Sequence, residues 1–306
     1  MIYAMTRLLL PVVGAALLWS AIPAAQFKVS TDLVRVYATV QDKASRLVPD
    51  LKQEDFTITD NGKVQPIALF SNDIAPFSVI VMLDHSRSMY SHQFEMRDAA
   101  IAFVRKMLPT DKARIGSFGD GTGNRVVIKP PAFSSSQGEL LEVLQVPIGL
   151  GQGSPVYISI DQSITALSNR DERRVVLIFT DGYDEPASTL LKVEFKDLIN
   201  RVRETNVMVY AIGFTDVQQR TGKAPEITPP DKGLRLLAED SGGGYFEVRD
   251  PAELTDLFTR VAEELHRQYL LGFAPPANDG KIHTIKVTTR RPDLIVRAKQ
   301  TYQAGK

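Results

Sequence analysis

The chain has 306 residues, of which 43% are hydrophobic and 24% are charged, and its formal net charge is zero. These proportions are typical of a globular protein with room for one large and one small domain, and the balanced charge argues against nucleic-acid binding. The chain has no cysteine, which excludes a disulfide framework and thiol chemistry.

The first 25 residues differ in composition from the rest of the chain. Arg7 is their only charged residue, Leu8–Ile22 is apolar apart from Ser20, and the small residues Pro23-Ala24-Ala25 follow. This layout predicts a secretory signal peptide over residues 1–25, with export to the periplasm, the cell surface or the medium. An uncleaved membrane anchor is the alternative, although the apolar stretch is shorter than the about 20 residues that cross a bilayer. We expect no stable membrane span after signal cleavage.

Residues 27–74 form a segment in which apolar residues recur with a period of two. Val34, Val36, Ala38 and Val40 alternate with other side chains, and Asp60-Asn61-Gly62 is a strong signal for a tight turn between two further strands. Two or three strands with one apolar face cannot bury a core by themselves. The segment therefore needs a partner elsewhere in the chain.

Residues 75–267 alternate strand and helix patterns. The first strand, Val79–Asp84, has five apolar residues in a row, as in a strand buried on both faces of a parallel sheet, and Arg174–Asp181 repeats this pattern. Phe94–Leu108 and Val156–Leu167 have helical periodicity. The alternation predicts an α/β fold with a doubly wound, mostly parallel sheet.

Weaker patterns predict the other elements of this region. The further strands are Arg114–Phe118, Arg125–Ile128, Val207–Phe214 and Gly244–Val248. The further helices are Glu139–Leu144, Leu190–Glu204, Leu234–Ala238 and Ala252–Tyr269. Asp216–Lys232 carries one glycine and three prolines with little periodicity, which predicts a long irregular loop.

The end of the chain returns to a period of two. Ile282–Thr289 and Leu294–Ala298 alternate, and Arg290-Arg291-Pro292-Asp293 is the turn between them. We predict that residues 268–306 pair with residues 27–74 in a small β-sandwich-like module, and that the α/β domain, residues 75–267, is inserted in it. The alternative is that the end strands extend the edges of the central sheet.

Oxygen-bearing side chains follow both buried strands. Asp84, Ser86 and Ser88 occupy alternate positions after the first strand, Asp181 ends the second, and Ser154 lies in a glycine-rich loop between them. Because the carboxyl ends of parallel strands meet at one edge of a sheet, these five side chains are expected to converge there. Hard oxygen donors with few carboxylates suit Mg²⁺ or Mn²⁺, with Ca²⁺ less favoured. We predict one divalent cation among these five residues.

Simpler roles compete with this metal site. An aspartate after a buried strand is commonly a helix cap or a turn former. The nearby acids Asp120, Asp184 and Glu185 are expected to be solvated loop residues, and the alternative for them is a role in supporting the metal ligands or in recognising the partner.

Three pieces of this pattern together resemble a known family. Asp84-x-Ser86-x-Ser88, the Gly151-x-Gly153-Ser154 loop and Thr180-Asp181-Gly182 resemble the metal-ion-dependent adhesion site (MIDAS) of the von Willebrand factor A (VWA) family, in the family's order. The resemblance implies a Rossmann-like fold and a module that recognises proteins through its metal. Ser154 stands where the family commonly has threonine, which keeps the oxygen donor. Ile158 stands where many bacterial members have aspartate, which removes a supporting carboxylate.

The segments that flank this region resemble those of a group of bacterial exported VWA-related proteins. The matching pieces are Asp55-Phe56-x-Ile58-x-Asp60-Asn61-Gly62-Lys63 and Tyr269-Leu270-Leu271-Gly272-Phe273. This resemblance supports the architecture and says little about activity.

The expected function is divalent-cation-dependent protein binding outside the cell, with no enzymatic activity. An acidic side chain of a protein partner would complete the shell of the cation. One alternative is Mg²⁺-dependent phosphoryl transfer with Asp84 as nucleophile, but the chain lacks a carboxylate at position 86 and an obvious phosphate-binding lysine. A serine hydrolase using Ser86 or Ser88 with His85 or His92 is another, but the Gly-x-Ser-x-Gly elbow is missing.

Overall fold

The computed structural model describes residues 33–119, 125–147, 149, 151, 153–186, 192–218, 226–228 and 230–305. The predicted signal peptide lies outside these residues. No helix within the described ranges is both long and apolar enough to cross a membrane.

The described residues contain sixteen strands and six α-helices. The strands are β1 (Val34–Gln41), β2 (Phe56–Asp60), β3 (Lys63–Gln65), β4 (Leu69–Ser71), β5 (Phe77–Asp84), β6 (Lys112–Phe118), β7 (Val126–Ser134), β8 (Arg173–Thr180), β9 (Met208–Phe214), β10 (Asp216–Gln218), β11 (Glu226–Thr228), β12 (Tyr245–Val248), β13 (Tyr269–Phe273), β14 (Ile282–Thr289), β15 (Ile295–Ala298) and β16 (Thr301–Gln303). The helices are α1 (Gln93–Lys106), α2 (Gln137–Gln145), α3 (Val156–Leu167), α4 (Phe195–Thr205), α5 (Lys232–Ser241) and α6 (Leu254–His266).

The central sheet has the strand order β12-β9-β8-β5-β6-β7 and is parallel except for the edge strand β7. Along β5, Val79 and Val81 pack on one side of the sheet with residues of α1 and α6, while Ile80 and Met82 pack on the other side with residues of α3, α4 and α5. Burial on both faces is the reason why the strand is continuously apolar. The prediction of a doubly wound, mostly parallel sheet is confirmed.

The two ends of the described chain pair with each other in two antiparallel sheets. One has the order β15-β1-β13-β4 and the other β16-β14-β2-β3. Val36 faces Leu271 in the first sheet, and Ile58 faces Val287 in the second. Side chains of both sheets, among them Val36 and Ile58, form a buried hydrophobic cluster that is separate from the clusters on the two faces of the central sheet. These sheets form the predicted module from both chain ends. The domain boundaries at 74/75 and 267/268 stay predictions.

Some local predictions were wrong. The helix predicted over Ala252–Tyr269 ends at His266, because Tyr269 begins β13 and pairs with Ala38 of β1. The predicted loop Asp216–Lys232 contains the antiparallel pair β10 and β11. Strand β7 runs on to Ser134 through two prolines, which an edge strand tolerates because one side needs no ladder hydrogen bonds. Strand β16 was not predicted.

Arg173 links the central sheet to the module formed by the chain ends. Its side chain is buried at the start of β8. Nη1 donates to Oε1 of Gln268 at 2.7 Å, and Nη2 donates to the carbonyl oxygens of Ala75, at 3.2 Å, and of Leu265. The guanidinium also lies 4.9 Å from the ring centroid of Tyr37 on β1. This one side chain of the central sheet therefore contacts the segment before β5, the end of α6 and a strand of the end module.

Candidate metal centre

The candidate site lies where β5 and β8 end side by side. Leu83 pairs with Phe179, so Asp84 and Thr180, the last residues of the two strands, are neighbours at the carboxyl edge of the sheet. The glycine-rich loop reaches this edge because the nitrogen of Arg87 donates to the carbonyl of Gly151 at 3.0 Å. The fold thus brings three separate segments of the chain to one place.

Asp84 is fully buried and its carboxylate accepts three hydrogen bonds. Oδ2 accepts from Oγ of Ser154 at 2.7 Å and from Oγ1 of Thr180 at 2.5 Å. Oδ1 accepts from the backbone nitrogen of Ser86 at 2.8 Å. Burial raises the pKa of Asp84, and the hydrogen bonds from Thr180, Ser86 and Ser154 oppose that rise only in part. A cation beside this carboxylate would favour its ionised form.

The other predicted residues continue this hydrogen-bonded set. Oγ of Ser86 lies 3.1 Å from Oγ of Ser88, and Oγ of Ser88 donates to Oδ1 of Asp181 at 3.0 Å. Asp84, Ser86, Ser154 and Asp181 are buried, whereas Ser88 is exposed. All five predicted residues are therefore together, and the cluster reaches the surface at Ser88.

The position of Ser154 is fixed by its backbone. Its nitrogen donates to the carbonyl of Glu185 at 2.7 Å, and the nitrogen of Glu185 donates back to the carbonyl of Ser154 at 2.9 Å. This pair of bonds connects the glycine-rich loop to the segment that follows Asp181. As expected, the side chain of Glu185 is exposed.

The donor set fits a hard divalent cation. It offers only oxygen atoms, from two carboxylates and several hydroxyls, which is the chemistry that Mg²⁺ and Mn²⁺ accept. Within the described ranges, no group of three or more histidine, cysteine, aspartate and glutamate side chains could hold a metal. A cation at this edge would therefore depend on serine hydroxyls and on water.

One expectation for the surrounding loop was wrong. Asp184 is half-buried instead of solvated, and its Oδ1 accepts from the backbone nitrogen of Tyr157 at 2.9 Å, at the start of α3. Burial raises the pKa of Asp184. Asp184 thus positions the helix that follows Ser154. Asp120 lies outside the described residues.

Sequence reasoning missed two residues of the site, Thr180 and Gly119. Thr180 is part of the Thr180-Asp181-Gly182 motif, but its hydroxyl was not expected to form a hydrogen bond with Asp84. Gly119 follows β6 with φ of +75°, and a Cβ there would lie 2.8 Å from the nitrogen of Ser86 and 3.1 Å from Oδ1 of Asp84. Its sequence signal was the glycine-rich turn after a strand of the same sheet.

We expect Gly119→Ala to destabilise the fold by at least about 2 kcal/mol, because alanine would be strained at positive φ and would push the Ser86 backbone away from Asp84. Gly62→Ala is the matched control, since Gly62 has φ of +80° and nothing within 4 Å of the added Cβ. Urea unfolding of the two variants measures the difference. Equal losses of unfolding free energy in the two variants would mean that the close approach of Gly119 to Ser86 and Asp84 adds nothing to the cost of the substitution.

Two solved structures illustrate the similarity of the fold to known proteins. A von Willebrand factor type A protein from Catenulispora acidiphila is 12% identical with a TM-score of 0.50, over 91% of this chain and 74% of that one. Proximal thread matrix protein 1 from the mussel byssus, with a zinc-occupied MIDAS motif, is 14% identical with a TM-score of 0.50, over 66% of this chain and 48% of that one. The chain thus spans about half the length of the mussel protein. At these identities the likeness concerns the fold.

Comparison with curated protein sequences finds no significant match. The sequence profile of the von Willebrand factor type A domain matches residues 78–260, which is more than half of the chain and includes all of β8 and all of β5 except Phe77. The family expected from the motifs is therefore confirmed, and the likeness to its exported bacterial group stays a prediction. The protein belongs to the von Willebrand factor type A domain family.

Proposed function

We propose that the protein is an exported binding module that recognises a protein partner through one divalent cation held by Asp84, Ser86, Ser88, Ser154 and Asp181. One observation carries this proposal. The five side chains form a hydrogen-bonded set of oxygen donors, linked through Asp84 and the Ser86 backbone, at the carboxyl edge of the sheet. Ligands commonly bind at this edge in open α/β sheets.

Mg²⁺ or Mn²⁺ is the cation that the donor set suits best. Two carboxylates and neutral hydroxyls leave room for the waters that Mg²⁺ retains, whereas Ca²⁺ usually takes about six to eight oxygen ligands. The mussel protein with a zinc-occupied MIDAS motif supports a divalent cation in this kind of site. Some of the contacts in this chain would run through water.

The partner would offer an acidic side chain to the cation. Ser88 is exposed and marks the open side of the cluster, and a carboxylate that enters there would make a charge-assisted contact of fixed geometry with the cation. The layout of residues 1–25 supports an encounter outside the cytoplasm.

The burial of Asp84 argues against the phosphoryl-transfer alternative. A nucleophilic carboxylate must reach the phosphorus atom of its substrate, but Asp84 is fully buried, whereas its Oδ1 accepts a single hydrogen bond and keeps a lone pair for a small cation or one of its waters. Binding, in contrast, needs only a cation with one open coordination position.

Partner capture from an envelope extract tests the proposal. We expect capture in Mg²⁺ and its loss in chelator, and Asp181→Ala should abolish capture because it removes one of the two carboxylates. Glu185→Gln is the matched control: it changes an exposed neighbouring acid and keeps the backbone pair with Ser154. Circular dichroism checks that each variant is folded.

Capture that persists in chelator and in Asp181→Ala would place the binding surface elsewhere. Turnover of a phosphoester that disappears with Asp84→Asn would favour an enzyme instead.

A further inference from the structure

A cavity of about 180 Å³ lies at the edge of the central sheet opposite to Asp84. It is located at the amino ends of β8 and β9, and five segments of the chain line it, three of which supply the basic residues considered below. Arg35 belongs to β1, Arg174 to β8, and Lys299 follows β15. The cavity therefore lies where the end module meets the central sheet.

The wall of the cavity carries more positive than negative charge. Arg170 and Arg203 have acidic partners, since Arg170 Nη2 lies 2.8 Å from Oε1 of Glu172 and Arg203 Nε lies 2.9 Å from Oδ2 of Asp240. Four other basic side chains of the wall have no carboxylate at salt-bridge distance among the described residues. They are Arg35, Arg173, Arg174 and Lys299.

Desolvation makes this excess charge costly. Arg173 is 5% exposed, and its Nε has no hydrogen-bond partner in the described part of the chain. Burial lowers the pKa of Arg174 and lowers the pKa of Lys299 to about 8. The nearest partner of the Lys299 ammonium is neutral, Oδ1 of Asn206 at 2.5 Å. Partly buried cations without a counter-charge destabilise a fold unless an anion neutralises them.

We propose that this cavity binds a phosphate group, as free phosphate or as a small phosphate monoester, between Arg35, Arg174 and Lys299. Guanidinium groups match phosphate oxygens in a planar, two-bond arrangement, and an ammonium adds a point charge. The cavity is smaller than the roughly 300–1,000 Å³ of sites for drug-sized molecules, which favours a small ion over a large cofactor.

The bound anion would join the two parts of the protein. Arg35 and Lys299 come from the end module, and Arg174 comes from the central sheet, so one phosphate would neutralise cations from both sides. Its binding would stabilise the folded state by mass action. The site is separate from the metal centre, and its test does not depend on the cation.

Calorimetric titration of inorganic phosphate at constant ionic strength tests this site. We expect saturable heat with the wild type and a rise in its thermal unfolding midpoint as phosphate is added. Arg174→Gln and Lys299→Met should each raise the dissociation constant at least tenfold. Arg267→Gln and Lys286→Met are matched controls, because both residues are exposed and lie outside the cavity, and they should bind phosphate as the wild type does.

Arg35→Gln is the variant that keeps the test decisive if the other two fail to fold, because Arg35 is exposed. It should also weaken phosphate binding at least tenfold. Glycerol 3-phosphate in place of phosphate separates the two sources: binding at least as tight as that of phosphate identifies a monoester, and weaker binding identifies the free ion. Absence of saturable heat with either ligand, or cavity variants that bind phosphate as the wild type does, would overturn the proposal.

Discussion

Asp84→Asn is expected to lower the affinity for Mg²⁺ and Mn²⁺ by about 100-fold or more, while the protein without metal stays as stable as the wild type or becomes more stable. The loss follows because the substitution neutralises one of two carboxylates, and changes even to groups behind the ligands of a metal cost about 10- to 100-fold. The stability follows because a neutral amide costs less to bury than a carboxylate whose pKa is already raised by burial.

The hydrogen bonds of Asp84 can also be replaced. An amide oxygen in the place of Oδ1 accepts from the nitrogen of Ser86, and the amide nitrogen in the place of Oδ2 donates to Ser154 and Thr180. Both of these residues have hydroxyls, which accept as readily as they donate. The hydroxyl hydrogens of Ser154 and Thr180 lose Oδ2 as their acceptor in the variant, and this cost offsets part of the stability gained by removing the buried charge.

Two measurements test the Asp84 prediction. Calorimetric titration should show metal binding to the wild type and to Glu185→Gln, but not to Asp84→Asn. Thermal unfolding should show a midpoint that Mg²⁺ raises in the wild type and leaves unchanged in the variant. Equal heats from the wild type and Asp84→Asn would remove Asp84 from the site.

Arg173→Met should cause the largest loss of stability, about 3 kcal/mol or more. Methionine fills similar space, but it leaves Oε1 of Gln268 and the carbonyls of Ala75 and Leu265 without their buried donor, and each such group costs about 1–3 kcal/mol. Removal of the buried charge offsets part of this loss. Three lost acceptor contacts outweigh that gain.

Arg173→Lys and Arg267→Met are the controls for this prediction. Lysine keeps the charge but cannot reach all three acceptors. The unfolding free energy of Arg173→Lys should therefore lie between that of the wild type and that of Arg173→Met. Arg267 is exposed, and Arg267→Met should change stability by less than about 0.5 kcal/mol. Urea unfolding compares the four proteins. If Arg173→Met is as stable as the wild type, the prediction is wrong, because removal of the buried charge then stabilises the fold as much as the lost hydrogen bonds destabilise it.

The convergence of the five candidate side chains was predictable because its signals are local. A strand buried on both faces gives a continuous apolar run, and β5 and β8 each end such a run at or beside an aspartate. Helix α3 was predicted with the bounds that it has in the structure, Val156–Leu167. The sequence alone was therefore sufficient to predict that these five side chains lie at one edge of the sheet.

Other features depend on residues far apart in the chain. The residues around Tyr269 carry no local signal that helix α6 should end before them. A strand forms there because it pairs with β1, which lies more than two hundred residues earlier in the chain. The need for glycine at position 119 likewise comes from the approach of Ser86 and Asp84, which only the folded sheet creates. The role of Arg173 was invisible for the same reason, since its partners lie in three separate segments.

The pairing of β1 with β13 and β15 also sets an order for folding. The ends of these strands must close a loop that contains the whole central sheet, and the entropy cost of closure grows with loop length. Contacts such as β5 with β6 close much shorter loops and can form first. During synthesis, β1 and β2 then carry unpaired edges until β13 and β14 emerge, and such edges invite pairing with other chains. The risk of aggregation is therefore concentrated in the first strands of the chain and ends when the last strands arrive.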